Sequence, residues 1–190
     1  MNDPISLFQT WLREELEQSN LKIPTAVCLS TIGLDGFPNA RFLSLKEVRG
    51  GSFIITGPLK SRKGLEIKEN HKVALTFWWT ETERQVRIQG TANEIPSDLA
   101  SQYFKERNRT SQAVSELSNQ GEQIDNIDSL ENKIQVLADS DSIISKSDDW
   151  GGFSIEPIRI EFLEFRSTRF HERKLYKRSG KFWKMSHLQP

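Results

Sequence analysis

The sequence has almost no cysteine: Cys28 stands alone among 190 residues. An internal disulfide is therefore excluded, and Cys28, set in an apolar run, reads as a small buried hydrophobe. Histidine is scarce as well. His71, His171 and His187 lie far apart, with no zinc-site spacing around them. Net charge is also lacking, with 26 Lys+Arg against 26 Asp+Glu. No overall field draws the chain to nucleic acid or to a membrane, so any anion site must be a local cluster. No apolar run approaches the roughly 18 residues of a membrane span. The opening Met1-Asn2-Asp3-Pro4 lacks the basic-then-apolar order of a signal peptide, so a cytoplasmic location is the expectation. There is no internal repeat, and no G-x-G-x-x-G to suggest a dinucleotide fold.

What is present fits one domain over residues 1–190, with enough chain to bury a core. Asp3 can cap a helix with Pro4 in its first turn, and Ile5, Phe8, Trp11, Leu12 and Leu16 then recur at helical spacing to about residue 20. Strands are expected at 25–31, 39–46, 52–56, 73–79, 84–95, 153–155, 158–166, 174–178 and 182–186. Gly50-Gly51 reads as a hairpin turn joining the second and third of these. Ser61 can cap a short helix, and Pro96-Ser97 opens another. A polar region over 97–139 holds weaker helices at 111–119, closed by Gly121, and 129–138, and 140–149 reads as an exposed loop. Strands cluster in two groups with helices between them. That pattern gives a mainly β, α+β class: antiparallel strands in a sheet or barrel with peripheral helices.

Several stretches could carry chemistry, each with a plainer alternative. Arg41, Lys46, Arg62 and Lys63 flank two apolar runs. Gathered together they would make an anion site; read alone, they guard a solvated strand edge. Tyr103, Arg107 and Ser111 are spaced four and four. On a continuous helix they would form a phosphate-suited stripe; otherwise Tyr103 packs, Arg107 is solvated and Ser111 caps the next helix. Gln85, between Arg84 and Arg87, could read a planar heterocycle, or the arginines could simply pair with acids on neighbouring strands. In an extended Arg169–Arg173 segment, Arg169, His171 and Arg173 would share one side, and two guanidiniums would favour a neutral imidazole between them. The alternative is a basic exposed strand with Glu172 as partner. Trp150-Gly151-Gly152 could stack on a flat ligand with close backbone approach, or be a strand junction with a core Trp.

Their order along the chain is more specific than any one of them. Arg41-x-x-x-Leu45-Lys46, Ser61-Arg62-Lys63-Gly64, Arg84-Gln85-Val86-Arg87, Tyr103-Phe104-x-x-Arg107, Ser111-Gln112, Trp150-Gly151-Gly152, Glu161-Phe162, Arg169-x-His171-x-Arg173 and the final Leu188-Gln189-Pro190 together resemble the pyridoxamine 5′-phosphate oxidase family. The resemblance runs from about Asp3 to Pro190. It implies an FMN-binding split β-barrel, a homodimer with FMN at the subunit interface, and a C-terminal segment, 150–190, that completes the site. It implies oxidation of pyridoxamine or pyridoxine 5′-phosphate to pyridoxal 5′-phosphate, by hydride transfer from substrate C4′ to flavin N5, with O₂ reduced to hydrogen peroxide.

By matching motif, the resemblance assigns FMN to Arg41, Phe42, Leu43, Ser44, Leu45, Lys46, Ile55, Thr56, Arg62, Lys63, Gln85, Gln120, Gly121, Trp150 and Arg173. It assigns the substrate phosphate to Lys46, Tyr103, Arg107 and Ser111, and the substrate ring to Arg169, Phe170 and His171, with Arg169 and His171 nearest the chemistry. The chain departs from the family's pattern at Asn108, Gly121, Leu163-Glu164, Phe170, Glu172 and the Ser-rich approach to Trp150. Two other functions stay open: an oxidase of another planar aromatic acid, of the phenazine-biosynthesis type, and a non-catalytic flavin or pyridoxal-phosphate carrier.

Overall fold

The computed structural model describes residues 3–190. The first helix, α1, runs Pro4–Gln18; Met1 and Asn2, which the expected 1–20 helix included, lie outside the described residues. The Asp3 carboxylate accepts the backbone N–H groups of Ser6 at 3.0 Å and Ile5 at 3.4 Å, supplying two of the orphan donors at the helix start. Then follow β1 (Ala26–Ile32), β2 (Pro38–Ser44), β3 (Glu47–Arg49), β4 (Ser52–Pro58), α2 (Arg62–Glu69), β5 (Lys72–Trp79) and β6 (Arg84–Glu94). The chain continues through α3 (Ser97–Lys105), α4 (Arg109–Leu117), α5 (Ile127–Asp139), β7 (Trp150–Glu164), β8 (Glu172–Ser179) and β9 (Phe182–Leu188).

All the strands join one antiparallel sheet in the order β2-β1-β5-β6-β7-β4-β3, with β8 added to β7 and β9 to β8. The sheet curls into a half-barrel. Strand alternation sends Val27, Leu29, Leu75, Phe77, Val86, Ile88, Ile160 and Phe162 inward, and α1 lays Phe8 and Trp11 into the same core. Phe8 is fully buried, edge-on to Phe53 at 4.8 Å and Phe77 at 5.0 Å. A smaller core of Ile54, Ile95, Ala100, Tyr103, Phe104 and Trp150 sits under α3. No helix among the described residues is long and apolar enough to cross a membrane.

The β-rich antiparallel expectation holds, with several local corrections. The Gly50-Gly51 turn joins the three-residue β3 to β4, whereas the Arg41 run pairs with β1 along its whole length. Strand β2 ends at Ser44, so Lys46 lies beyond the strand that carries Arg41, not at its end as expected. The strands expected at 153–155 and 158–166 are one strand, β7. Its Pro157 is absorbed by a register shift: Gln89 faces Arg159 and Gly90 faces Pro157, which leaves Ile158 as the extra residue of a bulge.

Ser61 occupies the N-cap position of α2 but makes no capping bond; its hydroxyl donates to the Pro58 carbonyl at 2.6 Å instead. Cys28 is half-buried on the outer sheet face rather than in the core. Gly152 serves the sheet itself: a Cβ there would lie 2.3 Å from the Ile55 carbonyl oxygen, so β4 and β7 meet this closely only with glycine.

Phe8→Ala should lower stability by about 3–5 kcal/mol, because it opens a ring-sized cavity where α1 meets the sheet. Urea denaturation checks this; a loss below about 1 kcal/mol would mean that α1 does not hold the barrel closed.

Candidate functional site

Of the four cations that would make one anion site, Arg41, Arg62 and Lys63 lie together, whereas Lys46 belongs to a second group and Arg169 and Arg173 to a third. The first is built on α2 and β2. Because α2 packs against β1, Glu66, fully buried, meets the strand residues Thr31 and Asn39. The Glu66 carboxylate accepts from Thr31 Oγ1 at 2.6 Å, Asn39 Nδ2 at 2.6 Å, Arg41 Nη2 at 2.8 Å and Arg62 Nε at 2.9 Å. Arg62 also reaches Asp35 at 3.0 Å. Burial alone would raise the Glu66 carboxyl, but hydrogen bonds from Thr31, Arg62 and Arg41 outweigh it and hold the group below its ordinary 4.5.

Glu66 was not among the expected site residues. The one local signal was its position four residues after Arg62, the spacing of an ion pair on a helix.

Lys63 lies beside this group. Its ammonium donates to Ser61 Oγ at 3.1 Å and to the Gln120 carboxamide oxygen. Burial, and then the Arg41 charge, push it down to about 8. A cavity of about 470 Å³ opens here, lined by Pro58, Lys60, Arg62, Gln120, Gly121 and Asp149. Asp149 closes its rim by accepting the Lys60 N–H at 2.7 Å. Gly121, at φ 94°, makes the turn that brings Gln120 to Lys63.

The second group surrounds α3. Tyr103, Arg107 and Ser111 are not on one helix: α3 ends at Lys105, and Asn108 caps α4 by accepting the Ser111 N–H at 2.8 Å. Asn108 thus makes the break that proline often makes elsewhere, and Ser111 is capped rather than capping. Arg107 nonetheless folds back, donating to the Ser111 carbonyl at 3.2 Å, with its guanidinium over the Trp150 ring at 5.3 Å. Burial lowers Arg107 from its ordinary value, and its Nε is buried without a partner.

Trp150 is itself sealed, edge-on to Phe104 at 5.1 Å, so within one chain its indole offers no free face to a flat ligand. Lys46 pairs with Glu106 at 2.6 Å and lies over the Tyr103 ring, while the Tyr103 hydroxyl donates to Glu47. Of the remaining expected residues here, Leu43 packs against the main core and Leu45 and Ile55 are part of it, whereas Thr56 faces Gly152 across the strands.

The third group lies at the far end of β7. The Arg169–Arg173 segment is not extended as expected: Arg169 is left-handed at φ 60°, in a turn closed by its N–H donating to the Arg166 carbonyl at 3.0 Å. The extended alternation that would set Arg169, His171 and Arg173 on one side is therefore broken at Arg169. Arg173 turns to Glu161 at 3.4 Å, with its Nε buried and unpartnered. His171 Nδ1 accepts the Arg166 N–H at 3.1 Å, which leaves Nε2 to carry the proton of the neutral ring. Its ring packs on Phe165 at 4.8 Å, and Phe165 meets Trp78 at 5.2 Å. Phe170 is exposed.

Gln85 sits in register with Trp78 and Leu163 on the outer sheet face, where Phe42 also lies open. Its flanking arginines follow the plainer alternative: Arg84 reaches Glu164 at 3.3 Å and Arg87 reaches Glu161 at 3.8 Å. Glu172 pairs with Arg166 and Lys174.

Trp150 and Leu163 stand at opposite ends of β7, thirteen steps or up to about 40 Å apart along an extended strand. One chain therefore cannot bring Arg107, over Trp150, to Arg169 and His171, beyond Glu164.

Residues 12–139 match the family model described as pyridoxamine 5′-phosphate oxidase. Residues 150–190 match a second, described as the pyridoxine 5′-phosphate oxidase C-terminal dimerisation region. A pyridoxine/pyridoxamine 5′-phosphate oxidase of Leptospira biflexa is 38% identical over 99% of this chain and 89% of its own. The enzyme of that name from Haemophilus influenzae is 37% identical over 99% of this chain and 90% of its own.

Among solved structures, PhzG from Burkholderia lata, in complex with tetrahydrophenazine-1-carboxylic acid, superposes with a TM-score of 0.93 at 26% identity, covering 100% of this chain and 94% of that one. A pyridoxamine 5′-phosphate oxidase-related FMN-binding protein from Nostoc punctiforme shares the fold, with a TM-score of 0.81 at 15% identity, covering 96% of this chain and 97% of its own. The half-barrel is thus one of the split-barrel folds.

Glu66→Ala should lower stability by about 3 kcal/mol, since it strands Arg41 beside Lys63. The wild-type contribution is full above the ordinary carboxyl value of 4.5 and is lost as pH falls toward the lower folded value. Thermal melts at neutral pH and near pH 3 check both; an Ala variant as stable as wild type at neutral pH would contradict the assignment.

Proposed function

The chain is a member of the pyridoxamine 5′-phosphate oxidase family, and from that membership we propose that it is an FMN-dependent oxidase of pyridoxamine and pyridoxine 5′-phosphates, working as a homodimer. The single observation that carries the reading is the division of the cationic groups between the two ends of β7. A site using both ends needs a second copy, and the segment beyond Trp150 matches a dimerisation region.

The residues fit a phosphorylated flavin. Lys63 is a half-buried ammonium held by two neutral oxygens, from Ser61 and Gln120, beside two guanidiniums and an open cavity. Buried guanidine nitrogens of Arg107 and Arg173 lack partners, so each group still has donors for an anion or a ring acceptor. In this reading Arg41, Arg62 and Lys63 hold the FMN phosphate, with Gln120 and the Gly121 turn at the cavity rim. Gln85 and Arg173 meet the flavin of the other half-site from the outer sheet face. Bound FMN would supply the redox chemistry, as acceptor of a hydride from substrate C4′ and donor of the electrons that reduce O₂ to hydrogen peroxide.

The chain's own residues place and neutralise. Arg107, with Lys46, Tyr103 and Ser111, anchors the substrate phosphate at one end. Arg169, beside exposed Phe170, covers the pyridine ring from the other copy. Guanidinium stays protonated, so Arg169 orients and stabilises charge rather than acting as a base. His171, with Nδ1 already used by the Arg166 N–H, offers Nε2–H to a ring substituent. Anchoring both ends of a small substrate holds the reacting carbon in place, and orientation of this kind carries much of the rate.

The likeness to PhzG supports one second reading, an oxidase of a tricyclic aromatic acid. Peroxide release by the FMN-loaded protein separates the possibilities. Turnover of pyridoxamine 5′-phosphate with one pyridoxal 5′-phosphate per peroxide supports the proposal. Turnover of a reduced phenazine acid alone supports the second reading, and FMN binding without turnover of either makes the protein a carrier.

Arg169→Ala should lower kcat tenfold or more while FMN stays bound; unchanged turnover would remove Arg169 from the mechanism. FMN affinity should weaken as pH rises through about 8, where Lys63 loses its proton. Fluorescence titration of FMN against riboflavin checks this, since riboflavin lacks the phosphate and should show no such step.

A further inference from the structure

The group around α3 contains two carboxylates that a phosphate site has no use for. Lys46, Tyr103 and Arg107 are the groups suited to an oxyanion there, and two of the three are already engaged by acids of the same chain. The Lys46 ammonium lies 2.6 Å from Glu106, and the Tyr103 hydroxyl donates to Glu47, which also has Arg49 at 3.7 Å. Only Arg107 differs. Among the described residues no carboxylate pairs with it, and its Nε is buried and unsatisfied.

Glu106 is the C-cap of α3, where the helix dipole disfavours an acid. Lys46 is the compensating charge. The Lys46 hydrogen bond holds the Glu106 carboxyl below its ordinary range against the smaller effect of burial, so it is ionised at neutral pH. Counting Lys46, Arg49 and Arg107 against Glu47 and Glu106, a single net positive charge meets an arriving phosphate monoester, which carries close to two negative ones.

We propose that Glu106 is a specificity-determining residue: an internal counter-anion that competes with the substrate's phosphate for Lys46, as Glu47 competes for Tyr103. The inference rests on the reading that Lys46 and Arg107 grip that phosphate. Both members of the Lys46–Glu106 pair keep partial exposure, at 30% and 44% of their side chains. The carboxylate can therefore swing into water when a phosphate arrives, without unfolding α3. An exposed pair of this kind is a modest restraint, able to shift an equilibrium severalfold rather than to close the site. It lowers affinity for a dianionic head and penalises a singly charged carboxylate less, because Arg107 alone can pair with that. The two acids thereby set how much negative charge the substrate should carry.

Glu106→Gln removes the charge and keeps the shape. In the FMN-loaded protein it should lower the KM for pyridoxamine 5′-phosphate about two- to fivefold, with the effect carried by KM rather than kcat. The inhibition constant of inorganic phosphate should fall in parallel, and both differences should shrink as salt is added. Glu47→Gln should act in the same direction through Tyr103. Equal or higher constants in Glu106→Gln would overturn the inference.

Calorimetry of inorganic phosphate binding to the two proteins keeps the test separate from the oxidase reading. If neither protein oxidises the substrate, that reading fails. Tighter phosphate binding by Glu106→Gln would still support the competition, and equal binding would contradict it.

Discussion

The structure depends on one long strand. β7 is the partner of β4, β6 and β8 at once, and its fifteen residues carry the sheet from the Trp150 end to the Glu164 end. At the first end it positions Trp150 under Arg107; at the second it presents Glu161 to Arg173 and leads to Arg169 and His171. A strand of this length is stiff because its neighbours are hydrogen-bonded along both sides. The two ends therefore cannot approach each other without breaking the barrel. In the proposed reading, the need for a partner follows from this rigidity.

Burial of charge is the second constraint. A chain with no net charge still concentrates Arg41, Arg62 and Lys63 in one place, which would be self-repelling without a counter-ion. Glu66 supplies it from inside, fully buried and satisfied by four donors. The same device appears in weaker, exposed form around Lys46 and Tyr103. Both groups hold cations ready by pairing them with acids from the same chain. They differ in depth: Glu66 is part of the frame, whereas Glu106 can leave.

Much of this was legible in the sequence because it was periodic or ordered along the chain. The α1 face, the alternation of β5 and β6, the Asp3 cap and the antiparallel class follow from spacing alone. The ordered motifs carried the family, and the matching models agree with that reading. What could not be read was anything decided across the fold. Glu66 looks like a surface helix acid until α2 is laid on β1. The Tyr103, Arg107 and Ser111 stripe looks helical until Asn108 caps a second helix inside it. Arg169, His171 and Arg173 look like one side of an extended segment until a left-handed turn at Arg169 interrupts it and Glu161 engages Arg173. The single β7 was hidden by Pro157, which ordinarily ends a strand and here sits in a bulge.

The central claim is that each site takes Arg107 from one copy and Arg169 from the other. Co-expressing an Arg107→Ala chain with an Arg169→Ala chain, and isolating the mixed dimer, tests it directly. Sharing across the dimer predicts that the mixed dimer holds one intact site and one doubly altered site, and so recovers about half the wild-type turnover although each parent is impaired. A mixed dimer no more active than its parents would contradict the account.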